Sequence, residues 1–506
     1  MGLLPPRPGA LARCAGPVLE GKPRPVYRVA TVVEENVVPE SVSHFIGGRR
    51  VRSALGKTYR VPDPATGKDY AQVEVGTAGD VIQAVLAAQA ALDTGPWPGL
   101  AAPGKARILD AIADAIDARA GDIAVAEALG AGLPLTQATD QAERAADVFR
   151  LAADLTEAGA AADAPAAPGQ SSFALTRPAG VAGLITSWRT PFLTQARAVA
   201  PALAAGCTVV LRPDERAPLP AALLAEIVTT AGLPGGVLNI VHGSLHQKAA
   251  GAETRDALVA HPGVARLAFA GDAVSGQQVM LEAAAHRKIV SVELEGAAPA
   301  LIFADADLDQ AIDAALFGAF ALGGQRRTAT SVIGVERPVY DTLVSRLAER
   351  ADHIRVGAPA DPAVQLGPLP HPGHYDKLTS CVRLGVREGA RLAAGGRRPS
   401  GLPEGNYLAA TVLADVTPSM RVLAEQVCGP LVRVTAFDTD EEAAALANAV
   451  SSPTAAYIWT GDPGRAHRLA TAAGRPGESA GDVDIDFYRQ SRTVLTAAGE
   501  TPVPRF

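Results

Sequence analysis

Two adjacent arginines, Arg326 and Arg327, stand in the stretch Gly324-Gln325-Arg326-Arg327-Thr328-Ala329, and a third, Arg189, stands in Ser187-Trp188-Arg189-Thr190-Pro191. A guanidinium stays protonated, offers only donors and cannot attack a carbonyl. Thr328 could serve as a nucleophile only with an adjacent base. Two carboxylates suited to base chemistry, Glu293 and Glu295, sit close together in Val292-Glu293-Leu294-Glu295-Gly296. The four cysteines, Cys14, Cys207, Cys381 and Cys428, are far apart and form no CxxC pair, which argues against a zinc site or a disulfide framework and suits a reducing compartment. Cys207, at the start of the apolar run Thr208-Val209-Val210-Leu211, reads as a structural thiol.

The elements that must position these groups follow from pattern. At 506 residues with 48% hydrophobic content the chain is long enough for two or three domains with buried cores. A net charge of −7 gives no basic footprint for nucleic acid. There is no run of roughly 18 apolar residues for a membrane span, and the start lacks a secretory or myristoylation signal, so a soluble, cytoplasmic protein is expected. Residues 1 to 42 are rich in Pro and Arg and read as an N-terminal extension, with a Val-rich stretch, Val26 to Val38, that could add a strand or arm.

Helical spacing recurs from Gly79 to Leu92, from Ile108 to Ile116 and from Ile123 to Leu129. The Ala/Pro/Gly-rich segment Ala158 to Gln170 reads as a linker, followed by a strand over Ser171 to Thr176. Strand and helix then alternate: Val181 to Ile185, Thr194 to Ala204, Thr208 to Leu211, Leu219 to Thr230, Val237 to Val241. Such alternation predicts a parallel sheet with helices on both faces, a nucleotide-binding architecture, although no GxGxxG is present. Further helices are predicted over Leu308 to Phe320, Val339 to Asp352, Glu441 to Ala449 and Gly464 to Ala473, with a strand over Ala455 to Thr460.

The ordered blocks Arg177-Pro178-Ala179-Gly180-Val181, Pro201-Ala202-Leu203-Ala204-Ala205-Gly206, Ala231-Gly232-Leu233-Pro234, His261-Pro262-Gly263-Val264, Phe303 to Asp309 and Gly429-Pro430 carry a resemblance to the aldehyde dehydrogenase superfamily, from about Phe45 to about Ser491. The resemblance implies an α/β, aldehyde dehydrogenase-like fold. Its parts would be a Rossmann-like cofactor domain over residues 43–163 and 183–293, an α/β catalytic-type domain over 294–480, and a small β oligomerisation region over 164–182 and 481–506.

It also implies what chemistry to look for. Aldehyde oxidation in this family needs a thiolate, an oxyanion donor, a hydride acceptor and a base for the hydrolytic water. The nucleophile position falls on Arg327, so the chain resembles a catalytically inactive pseudoenzyme member. The oxyanion-donor position, an Asn amide in the family, is Arg189. The base position is retained as Glu293, with Glu295 replacing the next glycine. Cys428 replaces a Phe near the nicotinamide. The cofactor cleft would be lined by Ile185, Thr186 and Trp188, with Arg212 and Glu215 at the adenosine ribose, Gly271 and Asp272 at the pyrophosphate turn, and Gln426 at the nicotinamide ribose. Asp272 is a good helix cap, but its carboxylate stands where phosphate oxygens would go, so NAD or NADP binding should be weak or absent. No metal site is implied. The acidic stretch Gly481 to Ser491 replaces the family's glycine-rich loop.

Three functional readings follow. The first is a non-catalytic structural or regulatory subunit, a homo-oligomer or a hetero-oligomer with a catalytic paralogue. The second is an NAD(P)-dependent aldehyde dehydrogenase with altered chemistry, Glu293 acting on a hydrated aldehyde. The third is an anion-binding module, in which Arg189, Arg326 and Arg327 converge on the former substrate pocket and are neutralised either by Glu293 and Glu295 or by an anionic ligand.

Overall fold

A computed structural model describes residues 41–157, 170–244, 250–402, 404–449, 455–472 and 484–497. The Val26 to Val38 strand, nearly all of the extension and of the 158–170 linker, and Gly481-Asp482-Val483 lie outside the described residues.

Two sheets organise the molecule. The first has seven strands, in the spatial order Ile289–Leu294, Val264–Gly271, Val181–Ile185, Thr208–Arg212, Leu238–Ile240, His44–Ile46 and Arg49–Val51. Its first five strands run parallel, and the last two form an antiparallel hairpin at the edge. Val181–Ile185 and Thr208–Arg212 are buried along their whole length, the pattern of strands covered by helices on both faces. The crossover helices Pro191–Ala204 and Leu219–Thr230 bury most of their residues, and both start with proline in the first turn, where the missing N–H goes unused.

The second sheet has six strands, ordered Arg391–Ala394, Thr411–Ala414, Leu431–Phe437, Val332–Glu336, Pro299–Ile302 and Tyr457–Trp459, all parallel except the first. A two-stranded antiparallel ribbon pairs Gln170–Pro178 with Arg489–Ala497, and three short strands, Ser41–Val42, Asp69–Glu74 and Thr58–Pro62, form a small sheet.

Three boundaries differ from the sequence expectation. Val181 and Ala182 pair with Thr208 and Val209, so a domain boundary at 183 would cut a strand of the first sheet. Ser41 and Val42, assigned to the extension, pair with Gln72 and Val73. Gln170, assigned to the linker, opens the ribbon strand opposite Ala497. In each case partners distant in sequence set the boundary, and composition does not register them.

The long helix Leu135–Glu157 packs against Ala102–Ala118 and Pro191–Ala204. Its buried face is mostly alanine (Ala138, Ala142, Ala145, Ala146, Ala152, Ala153) around Phe149, and such small side chains let helix backbones approach closely. Truncating fully buried Phe149 to alanine would cost about 3–5 kcal/mol.

Candidate functional site at the carboxyl ends of the first sheet

The turn that presents Arg326 and Arg327 is built from consecutive left-handed residues: Leu322 (φ 55°), Gly323 (φ 67°) and Gly324 (φ 66°). A Cβ on Gly324 would run into the carbonyl of Gly429, so glycine is required there for close approach as well as for its dihedral. Gln325 Nε2 donates to Ala131 O at 3.2 Å, and Leu322 N donates to Gln137 Oε1. The turn is thereby fastened to the helices Ala120–Ala131 and Leu135–Glu157.

Arg327 reaches Glu293, with Nε 2.8 Å from Oε1. Arg197 Nη2 stands 3.5 Å from the same oxygen. Glu293 belongs to the edge strand Ile289–Leu294, where it pairs in register with Ala270. The Arg327 and Glu293 side chains are 21% and 35% exposed, so solvent screens their attraction.

Arg189 finds the other carboxylate: its Nη2 lies 2.8 Å from Glu295 Oε2, with the two side chains only 8% and 14% exposed. Thr190 holds a left-handed φ of 36° at the entry to the helix Pro191–Ala204, an uncommon conformation for a β-branched residue. Arg189 N donates to Ser187 Oγ at 3.2 Å, and the guanidinium lies 5.8 Å from the Trp188 ring centroid. Burial raises the Glu295 pKa, while the Arg189 charge pulls it back. At the same helix start, Phe192 N donates to buried Glu127 at 2.6 Å.

The expected convergence of three arginines on two glutamates is therefore corrected in one respect. Arg327 and Arg189 each have a carboxylate, but Arg326 has none among the described residues. Its guanidinium lies 4.8 Å from the Phe317 ring centroid, and Nη2 donates to Thr328 Oγ1 at 3.4 Å. Consecutive loop residues serve different sides of the turn, which the adjacency of two arginines in sequence cannot show.

The residues expected to line a cofactor cleft lie around the carboxyl ends of the parallel strands, where open α/β sheets bind ligands. Ile185 pairs with Arg212 and Phe269 in register, and Thr186 N donates to Arg212 O at 3.1 Å. Trp188 is buried beside Ala217 and Cys428. Arg212 is ion-paired with Glu215, and a Cβ on Gly243 would strike both groups. Burial raises the Glu215 pKa, opposed by Arg212. Gly271 O accepts from Glu295 N at 2.8 Å. Asp272 caps the helix Ala273–Ala285, its Oδ1 accepting from Ser275 N at 2.9 Å. Gln426 Nε2 donates to Glu295 O at 2.8 Å, tying its loop to the segment directly after the strand Ile289–Leu294.

Sequence reasoning missed four groups beside these. Arg197 is one. His371 caps the helix Pro372–Glu388, its ring Nδ1 accepting from His374 N at 3.1 Å. His374 Nε2 bonds the Cys428 carbonyl, and Trp188 packs edge-on to both histidine rings. Burial depresses the His371 pKa to about 4 and the His374 pKa to about 3, so both rings are neutral near pH 7. Arg433 is wholly buried: its Nε donates to Ser331 O, and its Nη1 to the carbonyls of Val422, Leu423 and Glu425 at 2.7–3.0 Å. The sequence signal for the histidines was a histidine directly before Pro372, a helix-start pattern. For Arg433 it was a lone charge inside an apolar strand. Cys428 is buried, and its thiol is pushed up to about 12 by that burial, which leaves it inert.

Two doubly covered α/β sheets, an antiparallel ribbon and a polar site at the strand ends define an aldehyde dehydrogenase fold, and the chain belongs to the aldehyde dehydrogenase family, whose profile matches residues 51–497. It is 39% identical over 437 residues to the 5-carboxymethyl-2-hydroxymuconate semialdehyde dehydrogenase of Escherichia coli, covering 85% of this chain and 91% of that protein. It is also 39% identical over 477 residues to a 2-hydroxymuconic semialdehyde dehydrogenase of Pseudomonas sp. (strain CF600), covering 92% and 96%. Among solved structures it resembles the Staphylococcus aureus betaine aldehyde dehydrogenase in complex with NAD+, with a TM-score of 0.88 at 29% identity over 95% and 100% of the two chains. No helix among the described residues is long and apolar enough to cross a membrane.

Proposed function

We propose that this chain is a non-catalytic member of the aldehyde dehydrogenase family, acting as a structural or regulatory subunit. The observation that carries the reading is the 2.8 Å pair between Arg327 and Glu293. In the register set by Gly324-Gln325, Arg327 stands at the nucleophile position and Glu293 at the base position. A guanidinium there offers no lone pair to a carbonyl, and it holds the carboxylate that would activate water. Arg189, at the oxyanion-donor position, is likewise committed to Glu295.

We place the dinucleotide cleft around Ile185, Thr186, Trp188, Arg212, Glu215, Gly271, Asp272 and Gln426, and propose weak NAD(P) binding. The support is the Asp272 carboxylate, which takes a helix N-terminal donor that a phosphate would otherwise use. In this reading the chain is cytoplasmic and oligomeric, either with itself or with a catalytic paralogue. The domain division keeps residues 181–295 with the first sheet, since Leu294 pairs with Gly271 and Glu295 N donates to Gly271 O, and begins the catalytic-type domain after them.

Co-purification at native levels tests the subunit reading. Recovery with a second aldehyde dehydrogenase chain that retains its cysteine is expected. Recovery only as a self-associated species, with steady aldehyde-dependent reduction of NAD or NADP, overturns it. The second reading, direct hydride transfer from a hydrated aldehyde with Glu293 taking the proton, draws support from that carboxylate's retention and from relatives named as semialdehyde dehydrogenases. It requires that Glu293→Gln abolish turnover.

A further inference from the structure

Of the arginines at the former substrate pocket, Arg326 alone lacks a carboxylate among the described residues. It is half-buried, and its Nη1 is shielded from solvent without a hydrogen-bond partner. An unsatisfied buried donor is costly, and more so when it is charged. A second cation lies on the helix to which the turn is fastened. Gln137 bonds the turn at Leu322, and Arg144 lies seven residues further along the helix Leu135–Glu157, therefore on the same helical face. Arg144 is exposed and makes no salt bridge among the described residues, and its charge adds to burial in lowering the Arg326 pKa.

The surroundings define the chemistry of whatever relieves these two charges. Phe317, 59% exposed, offers an apolar face against which the Arg326 guanidinium is stacked. Thr328 and Tyr457 supply hydroxyls, and Tyr457 Oη donates to Thr328 O at 3.2 Å. A planar guanidinium fork matches a carboxylate in bidentate geometry, and an aromatic wall favours an organic body over a bare inorganic ion.

We propose that Arg326 and Arg144, with Phe317 as the apolar wall, form a binding site for a small organic carboxylate at the outer side of the Arg326–Thr328 turn. The site is separate from the Arg327–Glu293 pair and does not depend on whether the chain turns over. A binding measurement reads the one question and a turnover assay the other.

The test is calorimetric and thermal-shift titration of the full chain with benzoate, with benzamide as the neutral isostere and inorganic phosphate as a second anion. Benzoate is expected to bind saturably and stabilise the protein, with benzamide and phosphate at least roughly tenfold weaker, a difference of about 1.4 kcal/mol. Arg326→Met should abolish benzoate binding and Arg326→Lys should keep part of it. Arg144→Gln, on an exposed helical face where folding is not at issue, should weaken it several-fold. Benzoate binding that equals benzamide or phosphate binding, or that survives both Arg326→Met and Arg144→Gln unchanged, overturns the proposal.

Discussion

Arg327 Nε and Glu293 Oε1 stand 2.8 Å apart, so in the proposed reading the residue at the nucleophile position is bonded to the residue at the base position. Replacing the arginine alone removes one partner of Glu293 but leaves Arg197 beside it. Arg189 stays bound to Glu295. Arg327→Cys is therefore expected to produce no aldehyde-dependent NADH or NADPH, measured by absorbance against a panel of aldehydes. A working dehydrogenase from that single change would refute the claim that the site was refitted as a whole.

The chain's own residues made the architecture largely legible, and the reason is local. The helices Leu219–Thr230 and Leu308–Phe320 have the ends that periodicity predicts, because proline at one start and an aspartate cap at the other mark boundaries within the helix itself. The pairing of Glu293 and Glu295 with arginines was one of two alternatives, the other being an anionic ligand, and it rested on the family resemblance as well as on charge. What stayed hidden depends on long-range packing: Arg326 stacking on Phe317, Arg433 serving backbone carbonyls, and His374 bonding the Cys428 carbonyl. Each partner lies far away in sequence or on an element whose facing direction is set only by the fold.

The Arg189–Glu295 pair is buried more deeply than the Arg327–Glu293 pair, and the two should differ in energy accordingly. Arg189→Met leaves a buried carboxylate without its cation and should destabilise by about 3–5 kcal/mol. The double change Arg189→Met with Glu295→Met should recover most of that loss. For the half-exposed pair, a double-mutant cycle should give a coupling of about 1 kcal/mol or less. Urea unfolding of the single and double variants measures both.

Asp272 fills the N-terminal position of the helix Ala273–Ala285 with a carboxylate. Asp272→Ser keeps a capping oxygen while removing the negative charge, so helix stability should change by less than about 1 kcal/mol. NAD binding, followed by calorimetry, should strengthen by roughly tenfold, about 1.4 kcal/mol. Unchanged or weaker binding would show that the carboxylate is not what limits the cleft.

Arg433 joins the two loops that carry the site, through Ser331 O on one side and Glu425 O on the other. Burial lowers its pKa to about 10, so it remains charged near neutrality. Arg433→Met removes the side-chain donor of the Val422, Leu423 and Glu425 carbonyls while keeping similar bulk, and Ser331 O keeps the Arg433 backbone N–H. Several kcal/mol of stability should be lost, since each unsatisfied buried acceptor costs about 1–3 kcal/mol. A loss under about 1 kcal/mol in urea unfolding would mean that the loops hold without it.

Glu127 is wholly buried; one carboxylate oxygen accepts from Phe192 N and the other has no hydrogen-bond partner. Burial raises its pKa to about 8, against 4.5 for an exposed glutamate, with the Phe192 N–H opposing the rise. Between those values the folded state holds a proton that the unfolded state has released. Its contribution is therefore full below the unfolded pKa and is lost as pH rises through about 8. His371 and His374 act the other way: their depressed pKa values put their destabilising window below pH 6.5. Measurements above that pH are free of the histidines, and comparison with Glu127→Gln separates Glu127 from Glu215 and Glu295, whose burial also raises their pKa values. Unfolding free energy should fall between about pH 6.5 and 8, by at most about 1.4 kcal/mol per pH unit for one proton. Glu127→Gln keeps the acceptor for Phe192 N without a titrating proton, so its profile over the same range should be flatter. Equal slopes for the two proteins would place the proton elsewhere.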